Sequence, residues 1–211
     1  MRAALQQSFW DRIVGVATLQ RPVYDAIARD SEATGQAWLI VILLGLANGI
    51  ALITTTLTDP FPGVSGDIAA ETESMVIMFD TTERRILAFG LGILAAIISW
   101  YLTSWLLRLI GTWMSTASRS DLNSEEMRRL VAWGYSPSLA TFLTPIPLVG
   151  PFLAVIGSIW ALVTGVMVVR VAFGVSIGRA ILIEIVTALA LVVLAIVIAI
   201  IVVLLATLFG A

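Results

Sequence analysis

Residues 181–208 form an almost unbroken run of Ile, Val, Leu and Ala, with Glu184 as the one charge. At about 1.5 Å per residue, a helical run of this length exceeds the roughly 30 Å hydrocarbon core of a bilayer. Lipid offers no hydrogen-bond partner to an open backbone, so such a segment has to be an α-helix or part of a closed barrel. Continuous hydrophobicity without alternation selects the helix. The run at 36–58 carries no charge at all and repeats the argument. With 59% hydrophobic residues, 12% charged residues and a mean hydropathy of +1.01, the chain is far from the composition of a water-soluble domain.

The expected fold class is therefore all-α: a polytopic integral membrane protein with five transmembrane helices at about 36–58, 86–110, 130–147, 151–171 and 181–208. Residues 36–211 read as a single membrane domain, and residues 1–35 as a cytoplasmic amphipathic segment. In that segment Phe9, Trp10, Ile13, Val14 and Ala17 fall at helical spacing, with Gln6, Asp11, Arg12 and Gln20 between them. Pro22 suits the first turn of a second short helix carrying Val23 and Ile27 on one face. Contact with the membrane surface and packing on the bundle are both compatible with this pattern. The apolar stretch Ala3 to Leu5 is too short for a secretory signal.

The third span is short. Pro137 removes a backbone donor inside it, Pro145 and Pro147 end it, and a Gly150-Pro151 turn leads into the fourth, so the expectation is a Pro-kinked helix in a hairpin. Asp121 or Ser124, in the polar connection before it, is the expected cap at its start. Gly45 and Gly49 make a small-residue face for close helix packing, and Asn48 is placed to hydrogen-bond across such a contact.

Cysteine and histidine are both absent, and all twelve basic residues are arginine. This excludes a disulfide framework, Cys or His metal sites and every Ser-His or Ser-Lys pair. Ser136, in the GYSP segment, is therefore not read as a nucleophile, and no catalytic residue or cofactor is expected. A net charge of -2 gives no reason to expect a nucleic-acid partner. Asp67 and Glu71 share a face in the acidic 59–85 connection, but no dedicated cation-loop spacing accompanies them, and a solvated loop is the simpler reading.

What remains is a small polar set within the apolar helices: Asn48, Tyr135, Ser136, Pro137 and Glu184. An ionisable residue inside a span is a functional candidate by default. Glu184 has an interfacial alternative, pairing with Arg179, Arg170 or an arginine of the 111–129 connection. Tyr135 and Ser136 are expected to hydrogen-bond around the backbone freed by Pro137. Arg108, Arg128, Arg129, Arg170 and Arg179 are candidate contacts for anionic lipid headgroups.

The arginines also set sidedness. Arg21, Arg29, Arg108, Arg119, Arg128, Arg129, Arg170 and Arg179 fall on one side of a five-span layout, Arg84 and Arg85 on the other. The positive-inside rule puts the N-terminus in the cytoplasm and the C-terminus outside.

The polar lead-in Arg128-Arg129-Leu130, then WGYSPSLATFLTPIP, then Ile159 to Leu162 and FGVSIGRA, together with LQRPVYDAIARD at Leu19–Asp30, resemble the Yip1 domain family. The resemblance implies a five-helix membrane fold with a cytoplasmic N-terminus and, for a prokaryotic member, the bacterial cytoplasmic membrane. Eukaryotic relatives act in vesicle trafficking and associate with Rab GTPases through an extended cytoplasmic region. The tyrosine-glycine-proline signature of those members is absent here, so GTPase binding is not carried over. Two functional classes follow: a noncatalytic protein that organises lipids, other membrane proteins or copies of itself, and a small transporter with a path along the broken third helix and Glu184.

Overall fold

A computed structural model describes residues 8–57, 81–115 and 122–209, and within them every regular element is helical. The acidic pair Asp67 and Glu71, Arg119 and the expected cap Asp121 lie outside the described residues.

The N-terminal segment folds as two short helices, α1 (Phe9–Ala17) and α2 (Arg21–Arg29). Ser8 starts α1 through a reciprocal cap: its hydroxyl accepts from the Asp11 amide at 3.2 Å, and the Asp11 carboxylate accepts from the Ser8 amide at 3.1 Å. The turn between the helices carries Leu19 at φ 59°, and Pro22 occupies the first turn of α2. Arg12 points inward, only 2% exposed, where it forms an ion pair with Asp30 and donates to Gln36 Oε1 at 2.9 Å. Trp10 and Val14 point outward, 71% and 57% exposed. This is the reverse of a water-facing helix, since the Arg12 charge is buried and ion-paired while the large apolar groups Trp10 and Val14 are presented to the surroundings.

Both short helices are fixed to the bundle. The Phe9 ring meets Trp133 with centroids 5.4 Å apart, and Trp160 Nε1 donates to the Ala17 carbonyl at 2.7 Å. Tyr24 is fully buried and donates its hydroxyl to the Val16 carbonyl at 3.0 Å.

Among the described residues, four helices are long and apolar enough to cross a membrane: α3 (Ala33–Leu57), α4 (Thr82–Met114), α6 (Val149–Phe173) and α7 (Ile177–Phe209). In α3 and α4 the backbones touch. A Cβ on Gly45 would sit 2.5 Å from Ile93 Cα, and one on Gly92 would sit 2.8 Å from the Gly45 carbonyl oxygen. Gly49 faces the Phe89 ring in the same way. The small-residue face read from the sequence is thus an intramolecular contact. Toward one end of this pair Trp38 meets Trp100 edge-on, with centroids 4.9 Å apart.

The expected third span differs from a kinked helix. Helix α5 (Ser124–Gly134) stops at Tyr135, and residues 136–143 continue as a 3-10 segment. Pro137 supplies the reason: it has no N–H to give, and its ring excludes the carbonyl four residues back, so the α pattern ends and a tighter one begins. The cap of α5 is Asn123, in a reciprocal arrangement with Glu126, rather than Asp121 or Ser124. The 11 residues of α5 and the 8 of the 3-10 segment rise roughly 16 Å each.

That composite strand of chain runs antiparallel to α6. The Leu143 carbonyl abuts Gly150, the Pro137 carbonyl abuts Gly157, and the Gly134 carbonyl accepts from Thr164 Oγ1 at 2.5 Å. The hairpin between them turns at Leu148, at φ 64° and 92% exposed. Helix α6 ends at Gly174 in the left-handed region, where glycine is the natural residue.

Candidate functional site

Tyr135 sits where α5 gives way to the 3-10 segment, and it lines two spaces. On one side is a cavity of about 390 Å³ between α3, α4 and the 3-10 segment, whose polar lining includes Asn48, Ser99, Tyr135, Ser138, Thr141 and Ser158. Among the described residues no charged side chain lines it. On the other side is a void of about 10 Å³ bounded by Gly134, Gly165, Val168 and Glu184. The structure therefore brings Asn48 and Tyr135 to one cavity and Tyr135 and Glu184 to a second. Tyr135 is the residue common to both.

Glu184 is held by small residues. A Cβ on Gly165 would lie 2.6 Å from Glu184 Oε1, so the carboxylate occupies the space that this glycine leaves open. Its Oε2 is buried and has no hydrogen-bond partner among the described residues. Among the described residues no ion pair joins Glu184 to Arg179 or Arg170. Helical geometry sets Arg179 apart. Five residues at about 100° each put Arg179 roughly 140° around α7 from Glu184. Arg179 is accordingly exposed, while Glu184 faces the bundle.

The polar groups around the break are also arranged differently from expectation. Ser136 is buried, but its hydroxyl makes no hydrogen bond among the described residues. The carbonyl at the end of α5 is met from α6 by Thr164, which is fully buried. Thr103 of α4 lies beside the Tyr135 phenol without a well-aligned hydrogen bond of its own, and Glu184 is within electrostatic reach of that phenol. Thr164 and Thr103 were missed by sequence reasoning. The available signal for Thr164 was its position beside Gly165 in the repeat Gly157, Ala161, Gly165; Thr103 gave none.

The arginines divide into three environments. Arg129 is 6% exposed and donates to the Ala28 carbonyl at 2.6 Å and to Thr34 Oγ1 at 3.2 Å. It ties the α2–α3 junction to α5 and is not available to a headgroup. Arg170 is half-buried, with Nη1 3.6 Å from Met167 Sδ. Arg108 and Arg128 do face a surface groove: Arg108 donates to Ser124 Oγ at 2.6 Å, and the Arg128 guanidinium lies 5.1 Å from the Tyr101 ring centroid. Among the described residues no three carboxylates come together as metal ligands.

The Yip1 domain model matches residues 16–210, from the end of α1 to the end of α7. The chain belongs to the Yip1 domain family. No curated protein and no solved structure matches it. The match spans the Tyr135 break, both cavities and the paired glycines of α3 and α4, so these features lie within the Yip1 domain itself.

Proposed function

We propose that this Yip1-domain protein is a noncatalytic organiser of membrane components, gathering lipids, other membrane proteins or further copies of itself. The observation that carries the reading is α7. Beyond Thr187 none of its described side chains is buried, and Leu189, Val192, Val193, Ile196, Ile200 and Val203 are all exposed. A helix this apolar on every face needs lipid or another helix around it. The outward Trp10 and Val14 of α1 add a second apolar surface beside the bundle.

Sidedness belongs to the same proposal. The ring of Phe173, at the end of α6, fills the space above Gly111, near the end of α4, so both helices finish at one end of the bundle. Arg108, Arg128, Arg129, Arg170 and the N-terminal helices collect around that end. The positive-inside rule makes it the cytoplasmic end, of the bacterial cytoplasmic membrane in this reading. With α5 and the 3-10 segment counted as one composite crossing of roughly 32 Å, the chain crosses five times.

Transport is the second reading, favoured by one observation: a 390 Å³ cavity, mostly apolar but carrying Asn48, Ser99, Ser138, Thr141 and Ser158, meets Tyr135, with the Glu184 oxygen that has no described partner behind it. One pair of measurements separates the two. Site-directed crosslinking from Val193 and Ile200 in native membranes is expected to capture a defined lipid or protein neighbour, and liposomes holding the purified chain are expected to show no proton or solute flux. Flux that Glu184→Gln abolishes would replace the organising role with transport.

A further inference from the structure

At the basic end of the bundle, α4 and α5 leave a groove of about 140 Å³ between them, lined by Tyr101, Ser104, Trp105, Arg108, Ser124 and Arg128. We propose that this groove binds the phosphodiester of an anionic phospholipid, with Arg108 and Arg128 as the two arms of the clamp. Residue chemistry, positioning and depth support the assignment independently.

The chemistry is that of an oxyanion site. Two guanidiniums on different helices line one depression, each with several N–H donors in a fixed fork. The opposing charge is small. Glu125 reaches Arg128 only at 3.9 Å and is mostly exposed, while Glu126 is turned back to the Asn123 amide. Among the described residues, two guanidiniums against the one exposed carboxylate that reaches them leave the groove positive. Ser124, whose hydroxyl accepts from Arg108, is the first residue of α5, so the partial positive charge of a helix start adds to the same point.

Both arms are positioned in advance. Arg108 is held by Ser124 at 2.6 Å, and Arg128 rests on the Tyr101 ring at 5.1 Å. The backbone of Arg128 is fixed as well, since its carbonyl accepts from Trp100 Nε1 at 2.8 Å. Ordering two long side chains before a ligand arrives removes entropy that binding would otherwise lose.

Depth selects the lipid over a soluble phosphate. Tyr101, Trp105 and Trp113 expose their rings along the same end of α4, where aromatic residues mark the headgroup level of a bilayer. Above that level the neighbouring α4 surface is apolar, with Leu94 and Ile98 exposed to receive acyl chains. A phosphodiester in the groove would have its glycerol and chains lying against this face.

The inference refines the lipid part of the organising role, and its test uses neither a protein partner nor flux, so the two can fail separately. Native mass spectrometry of the detergent-solubilised full chain, titrated with phosphatidylglycerol, phosphatidylcholine or inorganic phosphate, reads the occupancy directly. Phosphatidylglycerol is expected to bind most tightly. Arg108→Gln with Arg128→Gln is expected to weaken it about thirtyfold, about fivefold per arginine. Arg21→Gln with Arg29→Gln, which removes two exposed cations outside the groove, should change it less than about twofold. Because Arg128 also packs on Tyr101, Arg108→Lys alone provides a second variant; retaining charge but losing the fork, it should weaken binding less than Arg108→Gln. Unchanged binding in the Gln pair, an equal loss in the control pair, or equal affinity for phosphatidylcholine would overturn the proposal. Inorganic phosphate that displaces the lipid at comparable concentration would make the groove a free-anion site instead.

Discussion

Replacing Arg129 by alanine would leave the buried Ala28 carbonyl without its charged donor and remove the bond to the Thr34 hydroxyl. Hydrogen bonds to charged groups contribute about 1.5–3 kcal/mol each, so the expected loss is about 3 kcal/mol. Arg21 is exposed, and its only described ionic contact is Asp25 at 3.9 Å; Arg21→Ala should stay within about 0.5 kcal/mol. Denaturant titration in detergent micelles, followed by tryptophan fluorescence, distinguishes the two. Comparable losses would mean that Arg129 is not an internal tie. Tyr24 offers a pH readout outside the spans. Burial raises its phenol well above the ordinary value near 10. The sign follows from linkage: the unfolded phenol ionises first, so the stability that Tyr24 contributes is complete below that value and falls as pH climbs toward the folded one. Tyr24→Phe should flatten the alkaline slope of the unfolding midpoint.

At the scale of elements, the glycines give opposite predictions from the same substitution. Gly45→Ala pushes a methyl to within 2.5 Å of Ile93 Cα, which is backbone and does not yield, so α3 and α4 must separate. Gly35, early in the same helix, has nothing within 4 Å of a built Cβ, and Gly35→Ala should raise stability by up to about 1 kcal/mol through helix propensity alone. Thermal unfolding of the two variants should shift in opposite directions. The face that carries Gly45 was legible because small residues four apart have a direct geometric meaning. The third passage was only half legible. Pro137 announced a break, but whether an α-helix bends there or ends in a 3-10 turn depends on what can meet the freed backbone. Here the Gly134 carbonyl is met by Thr164, thirty residues from it in sequence. For the same reason the sequence marked Glu184 without placing it, since its position around α7 relative to Gly165 and Tyr135 emerges only from packing. Arg129, adjacent to Arg128 and chemically identical, was read as a headgroup contact because neighbours on a helix point about 100° apart and only the tertiary fold says which direction is inward.

For the whole molecule, the consequence of the fold that matters most is sidedness, and the absence of cysteine makes it unusually easy to measure. Ser8, which caps α1, and Ser176, in the short connection between α6 and α7, belong to the arginine-rich end in the proposed arrangement. Leu148, at the hairpin between the 3-10 segment and α6, belongs to the opposite end. Helix α6, 25 residues and roughly 37 Å long, separates Leu148 from Ser176, which is enough to hold them on opposite surfaces of a bilayer. Single variants Ser8→Cys, Ser176→Cys and Leu148→Cys should each express and fold, since the first two sites are exposed and polar and the third is almost fully exposed. A membrane-impermeant maleimide applied to intact cells should label Leu148→Cys alone, and permeabilisation should then expose the other two. Labelling of Ser176→Cys from outside, with Leu148→Cys protected, would invert the positive-inside assignment. Labelling of Leu148→Cys and Ser176→Cys from the same side would remove α6 as a membrane crossing, and with it the composite third passage that runs antiparallel beside it.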